Sequence, residues 1–167
     1  MKRFFTSDQH FWHQNILRYC NRPFSNIKEM NNKLIIRYNS LVSEDDKCYF
    51  IGDFSMVKSN EHRRLQPILD KLKGRKILIL GNHDDCKVWN YINIGFESVH
   101  TSLELDNGWI LNHDPAPSCI IRNRIWIVGH VHDLFIKQKN CINVGVDVWD
   151  YKPVSEDDIK RMLNVSN

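Results

Sequence analysis

The chain has 167 residues, 42% of them hydrophobic and 26% charged, with a formal net charge of +3 at pH 7. That length suits one domain over 1–167 with its own hydrophobic core, in an ordinary globular composition. The modest charge does not argue for nucleic acid, no stretch approaches the ~18 apolar residues of a membrane span, and segment 1–6 is read as too short for a signal peptide.

The predicted elements alternate. A strand at 3–6 comes first. From Asn26, the apolar residues Ile27, Met30, Leu34, Tyr38 and Leu41 recur on one helical face, and Asn26 with Glu29 reads as an N-terminal cap. A strand at 48–51 follows. A helix then covers part of 60–72, where Pro67 implies a kink or a late start. Strands at 77–80, 109–111, 125–128 and 141–144 are short and rich in β-branched or aromatic residues, and 99–105 alternates loosely. Ser155 with Asp158 opens a last helix carrying Ile159, Met162 and Leu163. Strand and helix alternating first, then mostly strand, predicts an α/β protein whose sheet gains antiparallel strands late.

Cys20, Cys48, Cys86, Cys119 and Cys141 are an odd set at wide spacing with no CxxC pair, which predicts reduced thiols in a cytoplasmic protein. Arg63-Arg64 and the lysines at 71–76 read as solvated surface.

The informative residues are those that follow the strands. They are Asp8-Gln9-His10, Gly52-Asp53, Gly81-Asn82-His83-Asp84, Asn112-His113-Asp114 and Gly129-His130-Val131-His132. Ligands in α/β sheets bind beyond the carboxyl ends of strands, so a common sheet would bring these clusters to one rim. Imidazole suits zinc, iron and nickel, while carboxylate and amide oxygens suit manganese and magnesium. Residues i and i+2 share one side at a strand end, so Asp8/His10 and His130/His132 can each reach one site. Gly52, Gly81 and Gly129 let the backbone turn beside the ions.

The ordered series DxH, GD, GNHD, a lone His and GHxH resembles the calcineurin-like metallophosphoesterase family. The match spans Asp8 to His132. Segments 5–13, 20–24 and 143–149 further resemble a subgroup of small bacterial and phage phosphoesterases. The resemblance implies a four-layer αββα sandwich of two mixed β-sheets flanked by helices. It implies two divalent metal ions, Mn2+ foremost with Fe, Zn or Ni as alternatives. Asp8, His10 and His132 would bind the first ion and Asn82, His113 and His130 the second. Asp53 would bridge both, one carboxylate having two oxygens to share. His83 would protonate the leaving oxygen, with Asp84 orienting its ring, while a metal-bridging hydroxide attacks phosphorus. Two ions ~3.5–4 Å apart stabilise the attacking and departing oxygens alike.

The favoured substrate is a small phosphodiester such as a linear or cyclic nucleotide, with a phosphomonoester as the alternative. The site would lie in the cytoplasm, the host's if the gene is a phage's. Phe54-Ser55 after Gly52-Asp53, where protein phosphatases carry an arginine-bearing stretch, argues against phosphoprotein hydrolysis. His13, Arg18 and Arg22 are candidate phosphate contacts. Phe11, Trp12 and Phe54 read either as base-stacking groups or as core. Asp147 and Asp150 fit the subgroup without a chemical role. The rival readings are a non-catalytic interaction module of the same fold, which would tolerate loss of His83 or several ligands, and a nuclease, which would carry a basic groove.

Overall fold

The computed structural model describes residues 1–119 and 123–164, with the side chains of Ser118 and Cys119 outside the described residues. In chain order its strands are β1 (Arg3–Thr6), β2 (Lys47–Ile51), β3 (Arg75–Ile79), β4 (Ser98–His100), β5 (Leu103–Glu104), β6 (Ile110–Leu111), β7 (Trp126–Val128), β8 (Lys137–Gln138), β9 (Cys141–Asn143) and β10 (Val154–Ser155). The α-helices are α1 (Ile16–Tyr19), α2 (Ile27–Asn39), α3 (Gln66–Leu69), α4 (Val88–Asn93) and α5 (Glu156–Asn164).

The strands form two mixed five-stranded sheets rather than one. The first has the order β10-β1-β2-β3-β4, parallel except for β10. The second has the order β5-β6-β7-β9-β8, parallel in its middle and antiparallel at both edges. The late antiparallel strands expected from the sequence are therefore present as edges.

Period-2 alternation decides which residues face where. Phe5, Tyr49, Ile51, Ile77 and Ile79 point inward and meet Leu105, Trp109, Leu111, Ile127 and Ile142 of the second sheet in one buried cluster. Phe4, Cys48, Phe50 and Leu78 point outward into a second cluster with Met30, Leu34 and Tyr38 of α2, Ile68 of α3 and Tyr91 of α4. Coverage on both faces is why β1, β2 and β3 read as nearly unbroken apolar runs.

Asn26 caps α2 as expected, its Oδ1 accepting the Glu29 N–H at 3.0 Å, but the helix ends at Asn39 and Leu41 lies beyond it, exposed. Segment 59–65 is a 3-10 turn, and α3 starts late with Pro67 in its first turn, where a missing N–H costs nothing. The Asp158 N–H bonds Ser155 Oγ at 3.1 Å, and α5 seats Ile159 and Leu163 at the edge of the inter-sheet cluster.

No described α-helix joins the cluster of Trp126, Val128 and Cys141 on the far face of the second sheet, which is backed by Ile110 and Phe135. The β6–β7 connection carries Pro115 and Pro117, which remove N–H groups an α-helix needs, and its described residues include a 3-10 turn at Ala116–Cys119. Among the described residues, no helix is long and apolar enough to cross a membrane.

Candidate metal centre

The loops after β1 and β2 stay zipped past the strand ends. The Asp8 N–H donates to Gly52 O at 3.1 Å and the His10 N–H to Asp53 O at 3.0 Å. The Gly129 N–H reaches His113 O at 3.1 Å, joining the loops after β6 and β7, and the Ser7 N–H reaches Val144 O at 3.0 Å, stitching the two sheets. The clusters thus meet at one rim although their strands belong to two sheets.

Left-handed backbone concentrates there. Asp8 has φ 60°, His10 51°, Asp53 53°, His130 70° and His132 46°. Each such non-glycine residue costs about 1–2 kcal/mol, and residues held this way cluster at functional sites. These turns, not a strand pleat, aim the side chains. They also split the GHxH pair, so that His130 and His132 enter different groupings.

Asp8, His10 and His132 bring potential ligand atoms within 4.8 Å of one another, and Asp53, His113 and His130 do the same. Asn82 Oδ1 joins the second set, 3.2 Å from His113 Nε2 and accepting the His130 Nδ1–H at 3.0 Å. Between the sets stands Asp53. Its Oδ2 lies 3.5 Å from His10 Nε2 and 3.4 Å from His113 Nε2, while Oδ1 accepts the His83 main-chain N–H at 2.9 Å. One carboxylate oxygen, not two, faces both groupings.

The imidazoles are oriented from behind. His113 donates from Nδ1 to Ile51 O at 2.9 Å and His132 from Nδ1 to Asp147 Oδ2 at 2.8 Å, which leaves both Nε2 atoms facing inward. His10 Nε2 is buried without a hydrogen-bond partner. An orphaned imidazole nitrogen beside two buried carboxylates fits a divalent cation.

Electrostatics agree. Burial works against a charged His113, yet the Asp53 carboxylate and the Asp8 charge outweigh it and lift the imidazole to about 9. His132 is lifted to about 10 against burial, chiefly by its bond to Asp147. Burial, helped by the nearby positive charge of Arg22 and opposed by Asp53, pushes His10 down to about 3. Burial also opposes ionisation of Asp53, but His113 and the His83 N–H hold its carboxyl to about 2. The cluster thus draws positive charge, and without a cation it holds protons.

The three glycines serve different ends. Gly52 has φ +80°, and a Cβ there would meet His113 Nδ1 at 2.3 Å. Gly81 and Gly129 lack positive φ and supply room instead. A Cβ at 81 would lie 2.3 Å from Asp53 Oδ1, and one at 129 would lie 2.3 Å from Ser7 Oγ and 2.8 Å from Asp8 Oδ2.

No family model matches the chain. The protein named Uncharacterized protein MJ1445, of Methanocaldococcus jannaschii, is 36% identical over 174 residues, covering 97% of this chain and 91% of that one. This chain belongs to the MJ1445 family. The Gene 66 protein of Mycobacterium phage L5 is 28% identical over 194 residues, covering 96% of this chain and 93% of its own. Among solved structures, the protein of unknown function AQ665 from Aquifex aeolicus superposes with a TM-score of 0.75 at 26% identity, over 96% of this chain and 98% of that one.

The remaining candidate residues of this MJ1445-family chain fall in different places. Asp84 does not orient the His83 ring. Its half-buried carboxylate accepts the N–H groups of Gly81 at 2.9 Å and Phe54 at 3.0 Å, so it shapes the turn. Arg22 is no phosphate clamp, being fully buried and paired with Asp147 at 2.8 Å. Phe11 and Phe54 are core, at 1% and 0% exposure, and Trp12 packs against that core beneath Arg64. Gln9 points away from the rim and donates to Thr6 Oγ1 at 2.7 Å. Arg18 is exposed on α1 and makes no side-chain bond to the site. His13 lies 3.4 Å from His10, Nδ1 to Nδ1, and His83 stands exposed with its ring 5.5 Å from that of His10.

Asp147 is the residue that sequence reasoning left without a role, and its place in the ordered segment 143–149 was the available signal. Cys20, His132 and Asp147 form a third grouping of ligand-type atoms. The Arg22 guanidinium on both Asp147 oxygens disfavours a cation there.

Proposed function

We propose that this chain is a two-metal-dependent phosphoric ester hydrolase of the calcineurin-like metallophosphoesterase type. The observation that carries this is the position of Asp53 Oδ2, within 3.5 Å of a histidine from each of two flanking ligand sets. Asp8, His10 and His132 would hold one ion, Asn82, His113 and His130 the other, and Asp53 both. The sandwich of two mixed sheets supports the metallophosphoesterase fold.

Bound divalent ions, Mn2+ favoured, would supply Lewis acidity at the phosphoryl oxygens and make a nucleophile available at neutral pH. The chain's own contribution is positioning and proton transfer. The His83 main-chain N–H on Asp53 fixes where its exposed imidazole stands, at the open side of the rim. From there it donates a proton to the departing oxygen, a step typically worth about 10²–10⁴ in rate. We favour a small phosphodiester, a linear or cyclic nucleotide; Asn82, His83 and His130 face solvent, so the rim is open to a substrate esterified on both sides.

The test is metal-free protein reconstituted with Mn2+ and assayed on bis-p-nitrophenyl phosphate and p-nitrophenyl phosphate, with His83→Ala as control. Faster, Mn2+-dependent cleavage of the diester that collapses in the variant is expected. No release from protein carrying two ions, with Mn2+, Fe2+, Zn2+ or Ni2+ and across cyclic and linear dinucleotides, would overturn the hydrolase reading.

A further inference from the structure

Arg22 spends its whole guanidinium inside the protein. Nε and Nη2 donate to the two Asp147 oxygens at 2.8 and 2.9 Å, Nη2 also to Asp8 O at 2.6 Å, and Nη1 to Gln9 O at 3.0 Å and Met30 Sδ at 3.5 Å. Asp147 Oδ2 in turn accepts the His132 Nδ1–H at 2.8 Å. One buried ion pair, its residues 125 positions apart, therefore grips the main chain at Asp8 and the ring of His132 together. Asn143 adds to the grip, its Nδ2 donating to His132 O at 2.7 Å. The second grouping has separate support, because His113 is held by Ile51 O.

A buried ion pair is weak evidence for stability, since apolar residues of similar volume often serve as well. Its contacts fit another purpose. We propose that Arg22 and Asp147 are positioning residues for the first ion alone. The carboxylate fixes the His132 tautomer so that Nε2 is the free donor, and the guanidinium sets the loop carrying Asp8 against it. Outer partners of this kind are worth about 10–100-fold in metal affinity. The inference rests on the proposed two-ion site.

The test is Co2+ titration of metal-free protein, read by visible d–d absorption and equilibrium dialysis. It uses wild type, Asp147→Asn and the double variant Arg22→Met/Asp147→Leu, with thermal melting to confirm folding. The double variant removes both charges and leaves none buried alone. His132→Ala and His113→Ala assign the two spectral steps. The expected result is one Co2+ bound as in wild type and the step lost in His132→Ala weakened about 10–100-fold. A folded double variant that binds both ions normally, or loses both equally, overturns the proposal while leaving the two-metal reading intact. A wild type that never takes up two Co2+ overturns both.

Discussion

His10 Nε2 faces Asp53 Oδ2 at 3.5 Å in the protein interior, and no hydrogen bond joins them. A buried polar atom without a partner costs about 1–3 kcal/mol, and a divalent ion held by His10 and Asp53 would remove that cost. Because the same oxygen also faces His113, Asp53→Asn is expected to lose both ions, not one. Metal analysis after dialysis against Mn2+ checks this, and retention of one ion at full occupancy would remove Asp53 from the shared position.

His83→Ala keeps the main-chain N–H that bonds Asp53, and removes only the imidazole. The expected outcome is a fall in kcat of about 10²–10⁴ with unchanged metal content. Loss of metal in step with activity would show that His83 acts on the ions instead.

Gly81→Ala tests close approach without changing any ligand. Its Cβ would fall 2.3 Å from Asp53 Oδ1 and 2.4 Å from Asp53 N, so the backbone must give way. A loss of about 1–3 kcal/mol in the urea unfolding of metal-free protein is expected, with weaker Mn2+ binding. A variant as stable as wild type would mean that this turn is looser than described.

Metal uptake is expected to expel protons. With imidazoles lifted to about 9 and about 10, His113 and His132 are protonated at pH 7 in metal-free protein, and a ligating imidazole must be neutral. Calorimetry in two buffers of different ionisation heat reads the release directly. The sign for stability follows. A histidine whose pKa is raised on folding contributes fully below its unfolded value of about 6.5 and loses that contribution as pH passes its folded value. Metal-free protein should therefore lose melting temperature between pH 7 and about 10. Uptake without proton release would contradict the assignment of these ligands.

Arg22→Ala strips the guanidinium from the buried Asp147 carboxylate and leaves it only His132, a loss of up to about 3–5 kcal/mol. Urea unfolding of metal-free protein should show that loss, and Arg22→Met/Asp147→Leu should recover most of it. A single variant within about 1 kcal/mol of wild type, well below that cost, would mean that water reaches the pair.

Much of the fold was legible in local pattern. The Asn26 cap, the apolar strands and the Ser155–Asp158 helix start are short-range features, and each appears where its residues predict it. Less was legible where neighbours decide. The helix α4 was missed because Val88, Trp89 and Ile92 are exposed, so no buried apolar stripe announces it. The two-residue edge strands β8 and β10 exist through their partners and have no periodicity of their own.

The site divides the same way. Sequence alone determined which residue types follow each strand and in what order, because strand ends and turns are written locally. Tertiary structure alone decided that Asp53 presents one oxygen to both groupings, that Asp84 serves a turn, and that Arg22 turns inward to hold Asp147 behind His132. Those facts depend on which distant groups are near enough to share a proton or a charge. Proximity of that kind arises only when the two sheets close over their common core and bring residues 22, 132 and 147 to one place.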